Sequence, residues 1–600
     1  MDTYLFLALI TGGLLIAYSL FLYIFPSRRL NLLLKAGSDA LNVLNLLFVY
    51  LYTNNALVVV GMAMNVICMI REILFSFRNN YKTLNNIGWP IGFSIVFALS
   101  LIFTYKTPLS LLPPIGSVIS TMCFYAKNPK LIKIGGALSS VFYIVYYSIL
   151  IQSSDVLTLS SLLCSAAGFI SSIIGLIIIM VRNHRFASDV FPDGTPINKW
   201  FHDEEETNRY KKKYFLKKYI KDKNAINTQK IQQLIDEISN SGGGVLIVSK
   251  GTYLTGALFI KPGVDLFISS SGILKGSDNI DDYPIRKTRI EGVSQDYYPA
   301  LINVIGVDDF ILSGKGVVDG SGEKFWKAFW KRREEKPDCT NLEVHRPRLF
   351  YAEKSKNMFI KGITFKDSGF WTSHFYKCDY LKIIKCQFIA PKEPIPAPSS
   401  DGIDIDVCHD VLIKHCYFEV NDDAVALKGG KGLNAELDSD NGSNERILVE
   451  DCKYGFCHSV LTCGSESIHN KNILLRNVKA YGAAQLLHLK MRPDTNQRYE
   501  DILISNIKGR IANDFVNISP WIQFFNLKGK ETRILSYISN IQIKNSKCSC
   551  GKFYHVIESD YYQIQNLCFD NLTIKTNNVG PYYNKHSFLN INNVSIVKEK

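Results

Sequence analysis

Six hundred residues exceed what one hydrophobic core organises, so at least two domains are expected. The formal net charge of +14 averages two unlike parts: up to about residue 185 long apolar runs carry essentially four acids (Asp2, Asp39, Glu72 and Asp155), and beyond it the chain is charged and rich in Asn, Asp and Gly. The positive excess gathers in loops between the apolar runs and in Lys211, Lys212, Lys213, Lys217, Lys218, Lys221 and Lys223 without any nucleic-acid-binding motif, so anionic lipid headgroups and not nucleic acid are its expected neighbours.

From Tyr4 to about Phe25 the chain is nearly all apolar, which a secretory signal would explain if it stood alone. Further runs follow at about 38–53, 56–76, 88–105, 109–126, 132–152 and 157–181, most near the roughly 20 residues that cross a bilayer. Seven spans are expected, 38–53 being short. Basic residues cluster after the first, third, fifth and seventh runs, for instance Arg28, Arg29 and Lys35, then Lys127, Lys130 and Lys133, while the other connections carry almost none. The positive-inside rule then puts the N-terminus outside and everything beyond residue 185 in the cytoplasm. Span number and short loops resemble the bacterial YgjV-type inner-membrane family and, more distantly, the sugar transporters of the PQ-loop kind. That resemblance implies a multi-pass anchor in the bacterial inner membrane, and transport is not assigned from it.

A charged connector is expected over 186–222. In the stretch that follows, Ile231, Leu234, Ile235 and Ile238 have helical spacing, and Gly242 to Gly244 end the helix. Such a helix can cap the open end of a stacked sheet. Eight loose copies of one pattern come next: MFIKGITF at 358, LKIIKCQF at 381, VLIKHCYF at 411, ILVEDCKY at 447, ILLRNVKA at 473, ILISNIKG at 502, IQIKNSKC at 541 and LCFDNLTI at 567. Aligned on Gly362, Cys386, Cys416, Cys452, Asn477, Asn506, Asn545 and Asn571, their steps vary from 24 to 39 residues, one coil per repeat with insertions from one face. The Asn and Cys are expected inside, stacked from coil to coil. The fold class is therefore multi-domain: an all-α polytopic membrane domain over 1–185, then a right-handed parallel β-helix over 223–600. Of fourteen cysteines, eleven lie beyond residue 185, several at like positions in successive repeats, which points to buried free thiols in a reducing compartment.

Between Ser399 and Lys490 acids fall at turns between short apolar runs: SSDGIDIDVC, NDDAVALKGG, YGFCHSVLTCGSE and LLHLK. Asp401 lies one coil before Asp422 and Asp423, so stacking can bring the three together. Crowded carboxyls raise one another's proton affinity and leave one protonated near neutral pH, which is what cleavage of a glycosidic bond needs alongside an ionised carboxylate. His458, one coil on, would be held as imidazolium beside them, the alternative being a core histidine satisfied by backbone. Lys490, in the coil after that, would offer a fixed charge to a substrate carboxylate.

These blocks, with FPDGTPINKWF, GGGVLIVSKGTYLTGAL, RPRLF and FWTSHFYKC, resemble glycoside hydrolase family 28, the polygalacturonases and rhamnogalacturonan hydrolases, over roughly 187–600. Ser399-Ser400-Asp401 stands for the family's Asn-Thr-Asp, Asn421-Asp422-Asp423 for its paired Asp, Cys457-His458-Ser459 for its Gly-His-Gly, and His488-Leu489-Lys490 for its Arg-Ile-Lys. The resemblance implies Asp422 as general acid, Asp401 and Asp423 as activators of water, His458 as the tuner of their ionisation and Lys490 as the uronate ligand. It also implies inversion at the anomeric carbon, for which carboxyls roughly 6.5–9.5 Å apart are expected. His488 departs from the family arginine, and Arg492 is placed to replace its clamp on a carboxylate. Cys457 and Ser459 are expected to narrow the site. Arg346, Arg348, Trp371 and His374 are candidate sugar contacts. The expected function is a membrane-anchored hydrolase of galacturonate-containing pectic oligo- or polysaccharides that uses no metal or cofactor. The alternatives are a calcium-dependent pectate lyase, which shares the solenoid, and a non-catalytic carbohydrate-binding module coupled to a membrane transporter. Nothing in the sequence fixes the oligomeric state.

Overall fold

The computed structural model describes residues 3–25, 28–54, 56–78, 82–126, 128–150, 156–187, 189–204, 212–220, 225–523 and 535–598. They form two compact units, one within 1–189 and the other within 190–206 and 211–600.

The first unit is helical: α1 (Thr3–Ser19), α2 (Arg28–Thr53), α3 (Ala56–Ser76), α4 (Gly88–Leu99), α5 (Leu101–Thr104), α6 (Leu112–Tyr125), α7 (Pro129–Leu150) and α8 (Val156–Ala187). Five helical segments are long and apolar enough to cross a membrane: Arg28–Thr53, Val58–Ser76, Pro108–Tyr125, Lys130–Leu150 and Leu159–Met180. Thr3–Ser19 and Gly88–Thr104 are apolar but shorter. Pro113 and Pro114 are tolerated because they fall in the first turn of α6, where the missing N–H would have had no helical partner.

The run expected over 38–53 begins ten residues earlier, so Arg28, Arg29 and Lys35 sit on α2 and not in a loop. The reason lies in what their side chains reach. The Arg28 guanidinium donates to the carbonyls of Phe75 (2.9 Å), Phe124 (2.9 Å) and Ala126 (2.8 Å), taking up acceptors that the C-terminal ends of α3 and α6 leave open. Lys35 pairs with Asp39, and Arg71 with Glu72, inside the bundle. The Lys133 ammonium donates to the carbonyls of Tyr23 and Phe25.

The second unit is a parallel β-helix. Successive coils are joined strand to strand in parallel register: Ile360, Ile383, Ile413, Val449, Leu475, Ile504 and Ile543 lie side by side in seven coils and point inward. Side chains alternate in and out along each strand, so this register repeats one apolar row per coil. Phe365, Phe388, Phe418 and Tyr454 stack inside as a column, ring centroids 5.3, 5.0 and 5.1 Å apart. The one antiparallel ribbon among the described strands is the hairpin Arg286–Ile290 with Val293–Tyr297.

The repeat alignment made on Gly, Cys and Asn merges two positions. Lys385, His415, Asp451, Asn477, Asn506, Asn545 and Asn571 all occupy the left-handed turn, φ 52° to 59°, a conformation Asn adopts readily. Cys386, Cys416 and Cys452 come one residue later and are buried in the core. The asparagines do form a ladder, Asn506 to Asn477 at 2.6 Å and Asn571 to Asn545 at 2.8 Å. That ladder runs along the outside, where the turn projects the amides, not in the interior. All fourteen cysteines are free.

Segment 190–204, within the connector expected over 186–222, lies on the solenoid. Phe191, Ile197 and Phe201, with the short helix α9 (Lys199–His202), pack on outward-facing Phe359, Ile384, Leu412, Leu448 and Leu474. Asp193 and Asn472 exchange two hydrogen bonds, of 3.2 and 2.7 Å. Helix α10 (Thr228–Asn240) buries Ile231, Leu234, Ile235 and Ile238 at the start of the solenoid. Gly243 at φ 94° ends it, its N–H bonded to the Ile238 carbonyl.

Candidate active site

Five strands of one sheet carry the site: Ser373–Tyr376, Ile403–Asp406, Val425–Lys428, Ser459–Cys463 and Gln485–Met491. Ile403 lies beside Val425, Val425 beside Leu461 and Leu461 beside Leu487, so one register brings four coils together. Asp401, Asp422, Asp423 and His458 sit at the turns entering these strands. The turns are tied across coils: Gly402 N–H donates to the Asp423 carbonyl (2.9 Å), His458 N–H to the Asp422 carbonyl (2.8 Å), and Asn421 N–H to Ser400 Oγ (3.0 Å).

The three carboxylates converge, each offering an oxygen within 4.8 Å of the other two. This is shorter than the roughly 6.5–9.5 Å window expected for inversion, so the spacing itself does not select that outcome. Their environments differ. Asp423 is buried and accepts from the Lys490 ammonium at 2.7 Å. Burial pushes its carboxyl up, but the Lys490 charge and hydrogen bond outweigh this and hold it well below the usual range. Asp401 is buried without such a partner, and desolvation and then the charges of Asp422 and Asp404 push it far above. Asp422 is the most open, its side chain 26% exposed, with His458 Nδ1 3.3 Å from its Oδ1. Burial disfavours the His458 imidazolium, yet Asp422 raises its proton affinity above the ordinary histidine value. One carboxyl held toward its ionised form, one pushed toward its protonated form and one partly open to solvent are thereby sorted by environment. The same three oxygens could also hold a divalent cation, with Lys490 already supplying charge to Asp423.

Lys490 packs its ammonium 4.6 Å from the Trp521 ring. His488 lies edge-on to Trp521, and burial, then the Lys490 charge, push it down to about 3, so it is neutral and supplies no clamp. Arg492, expected to replace that clamp, spends its fork on Asp494 in two bonds of 2.8 and 2.7 Å. Cys457 and Ser459 are buried and so do not narrow the groove.

The remaining candidates correct the sequence reading. Arg346, Arg348 and His374 are 0%, 1% and 0% exposed, and Trp371 is 4%, so they present no open face to a sugar. Arg348 donates to His374 Nδ1 (2.7 Å) and to the Arg289 carbonyl (2.7 Å), and His374 Nε2 donates to Asp406 (3.2 Å), which also pairs with Arg289 (3.1 Å). Arginine can only donate, so His374 is neutral with its proton on Nε2. Together these groups bind the Arg286–Tyr297 hairpin to the solenoid, and Ile290 and Tyr297 of that hairpin cover Phe370 and Trp371. Arg346 donates to the Pro398 carbonyl (2.7 Å) just ahead of Asp401.

The sequence reading missed Asp404, Lys428 and Glu466. Lys428 lies 3.7 Å from Asp404 and 3.3 Å from Glu466, with its ammonium 4.8 Å from the Trp371 ring. The signal was the alternation in IDID: with Ile403 and Ile405 inside, Asp404 must point out of the core, on the face that carries the other carboxylates.

What the fold and the site define is a parallel β-helix with a carboxylate, histidine and lysine cluster on one sheet. Residues 279–520 match the model of glycosyl hydrolases family 28. The chain is similar to a probable polygalacturonase of Vitis vinifera, 29% identical over 220 residues, 35% of this chain and 43% of that protein. It is also similar to an endo-polygalacturonase of Pectobacterium parmentieri, 24% identical over 290 residues, 46% of this chain and 69% of that protein. The chain thus spans less than half the length of the Vitis vinifera relative. Among solved structures, an exopolygalacturonase from Thermotoga maritima superposes with a TM-score of 0.52 at 20% identity, covering 64% of this chain and 92% of that one. A polygalacturonase from Erwinia carotovora ssp. carotovora gives 0.50 at 18%, covering 64% and 94%. Both likenesses show the fold, the right-handed parallel β-helix.

Proposed function

We propose that the solenoid is a glycosidase that hydrolyses galacturonide linkages of pectic oligo- or polysaccharides, anchored by a YgjV-type helical unit in the inner membrane and facing the cytoplasm. The observation that carries the reading is the convergence of Asp401, Asp422 and Asp423 from two coils, with His458 and Lys490 from the next two. Asp422, open to the groove, protonates the leaving oxygen. Asp423, kept ionised by Lys490, takes the proton of the attacking water, and the protonated Asp401 donates a hydrogen bond to that water or to the sugar. His458 holds Asp422 in place and shares its proton. Lys490 reaches both Asp423 and the carboxylate of a bound uronate. Inversion is adopted from the family resemblance.

The test is product analysis with the full chain in detergent on homogalacturonan and rhamnogalacturonan oligomers, with Asp422→Asn alongside. Saturated products made by the parent and lost in Asp422→Asn support the reading. Unsaturated products absorbing in the ultraviolet, formed only with calcium and abolished by chelator, would instead make the acid cluster a cation site for β-elimination.

A further inference from the structure

The seventh position of the repeat is lysine in four consecutive copies: Lys453, Lys479, Lys508 and Lys547. All four are exposed, and they stand in register, Lys453 beside Lys479, Lys479 beside Lys508 and Lys508 beside Lys547. Neighbouring strands lie about 4.8 Å apart, so the ladder is about 14 Å long from first to last Cα. Like charges facing each other across strands oppose folding. Elsewhere on the solenoid stacked cations are neutralised: Lys414 and Arg476 both pair with Glu450, at 2.9 and 2.7 Å. The four ladder ammonium groups have no ion-pair or hydrogen-bond partner among the described residues. Asp451, the nearby acid, accepts from Asn477.

A shallow groove of about 340 Å³ runs along the first three lysines of the ladder, lined by His415, Asp451, Lys453, Asn477, Lys479 and Lys508 among others. Two residues beyond Lys479 and Lys508, and hence on the same face of their strands, stand Tyr481 and Arg510, paired with each other. Tyr481 is 62% exposed. A free aromatic face packs against the C–H groups of a pyranose, and evenly spaced ammonium groups match a chain with one carboxylate per sugar. The cations form a line one residue wide beside the asparagine ladder, which fits a linear polyanion better than the plane of a lipid surface.

We propose that this ladder is a second, non-catalytic binding site for a linear acidic polysaccharide. Its lysines pair along one row of the solenoid, while Val425, Leu461 and Leu487 of the carboxylate-bearing strands pair along another, so a chain seated there is held and not cut. The proposal rests on the reading above only in choosing polygalacturonate as the probe.

The experiment uses the full chain carrying Asp422→Asn, so that binding is read without hydrolysis. Affinity for polygalacturonate is compared before and after Lys453→Gln, Lys479→Gln, Lys508→Gln and Lys547→Gln together, and after Tyr481→Ala alone. Expected are at least about tenfold weaker binding in the fourfold variant, about 1.4 kcal/mol, a smaller loss in Tyr481→Ala, and parent binding falling toward the variant's level at high salt. In the Asp422-containing protein the fourfold variant should cleave short oligomers at the parental rate and melt no lower than the parent, because it relieves the stacked like charges. Unchanged polygalacturonate affinity overturns the proposal, as does a loss seen only for phosphatidylglycerol vesicles, which would make the ladder a lipid contact. If no galacturonide is hydrolysed yet the fourfold variant still loses polymer binding, the ladder stands and the catalytic reading falls.

Discussion

Replacing Lys490 by Met leaves the Asp423 carboxylate buried without its cation. The pair is 2.7 Å apart, with side chains 10% and 1% exposed. At an effective dielectric near 20 its attraction is about 6 kcal/mol before desolvation is subtracted, and removing one member of such a pair costs about 3–5 kcal/mol. At about 1.4 kcal/mol per pKa unit, that moves the Asp423 carboxyl up by two units or more. Its folded value now lies below its unfolded one, so its stabilising contribution is present above the ordinary carboxylate range and lost as pH falls through the folded value. In Lys490→Met the sign reverses, and the carboxyl binds its proton more tightly folded than unfolded. The acid limb of kcat/KM for oligogalacturonide cleavage, followed by reducing-sugar release, should therefore rise by about two pH units or more from below the usual carboxylate range toward it, and Lys490→Arg should restore most of the parental behaviour. Adding Asp423→Asn to Lys490→Met should recover stability but not activity. An acid limb that moves by less than half a unit in Lys490→Met would refute the assignment of Asp423 as the ionised base.

Asp422→Asn should lower kcat by about a thousandfold or more with the melting temperature unchanged, because the side chain is partly exposed and sits outside the core. His458→Gln should lower kcat by about a hundredfold and remove an alkaline limb that in the parent titrates above the ordinary histidine range, since the imidazolium is favoured below its raised value and lost as pH rises through it. His374 is buried, and desolvation, with Asp406 and Arg348 beside it, leaves it pushed down to about 4. Its contribution to stability is therefore full above the unfolded value near 6.5 and falls by about 3 kcal/mol as pH drops toward 4; thermal melts at pH 7, 5 and 4 should show the decline, flattened in His374→Gln. Proton NMR of the first product formed should show the anomer opposite to that of the cleaved linkage, and the same anomer would replace inversion by retention.

How far the sequence could be read depended on whether neighbours came from register or from a covering element. Asp401, Asp422, Asp423, His458 and Lys490 meet because each coil repeats the phase of the last, and that phase was visible in the apolar pattern of the repeats. Arg346, Arg348, Trp371 and His374 lie on or beside the same sheet, but the hairpin 286–297 folds over them. No periodicity reports which surface a hairpin will cover. Segment 190–204 was opaque for a related reason: Phe191, Ile197 and Phe201 are too few and too widely separated to mark an element, and only the apolar outer rows of the solenoid give them something to bury against. The start of α2 was missed because a basic residue reads as a loop until the carbonyls that Arg28 binds are known.

Because neighbouring coils are locked in parallel register, a one-residue slip within any site strand would turn its outward side chain inward. Growth of the chain is thereby steered to the turns, as in the stretch between Lys428 and Ser443, which lengthens one coil and leaves Val425 beside Leu461. The architecture separates two kinds of inheritance: the rungs hold the chemistry fixed, while the turns are free to be rewritten for sugars of another length or branching.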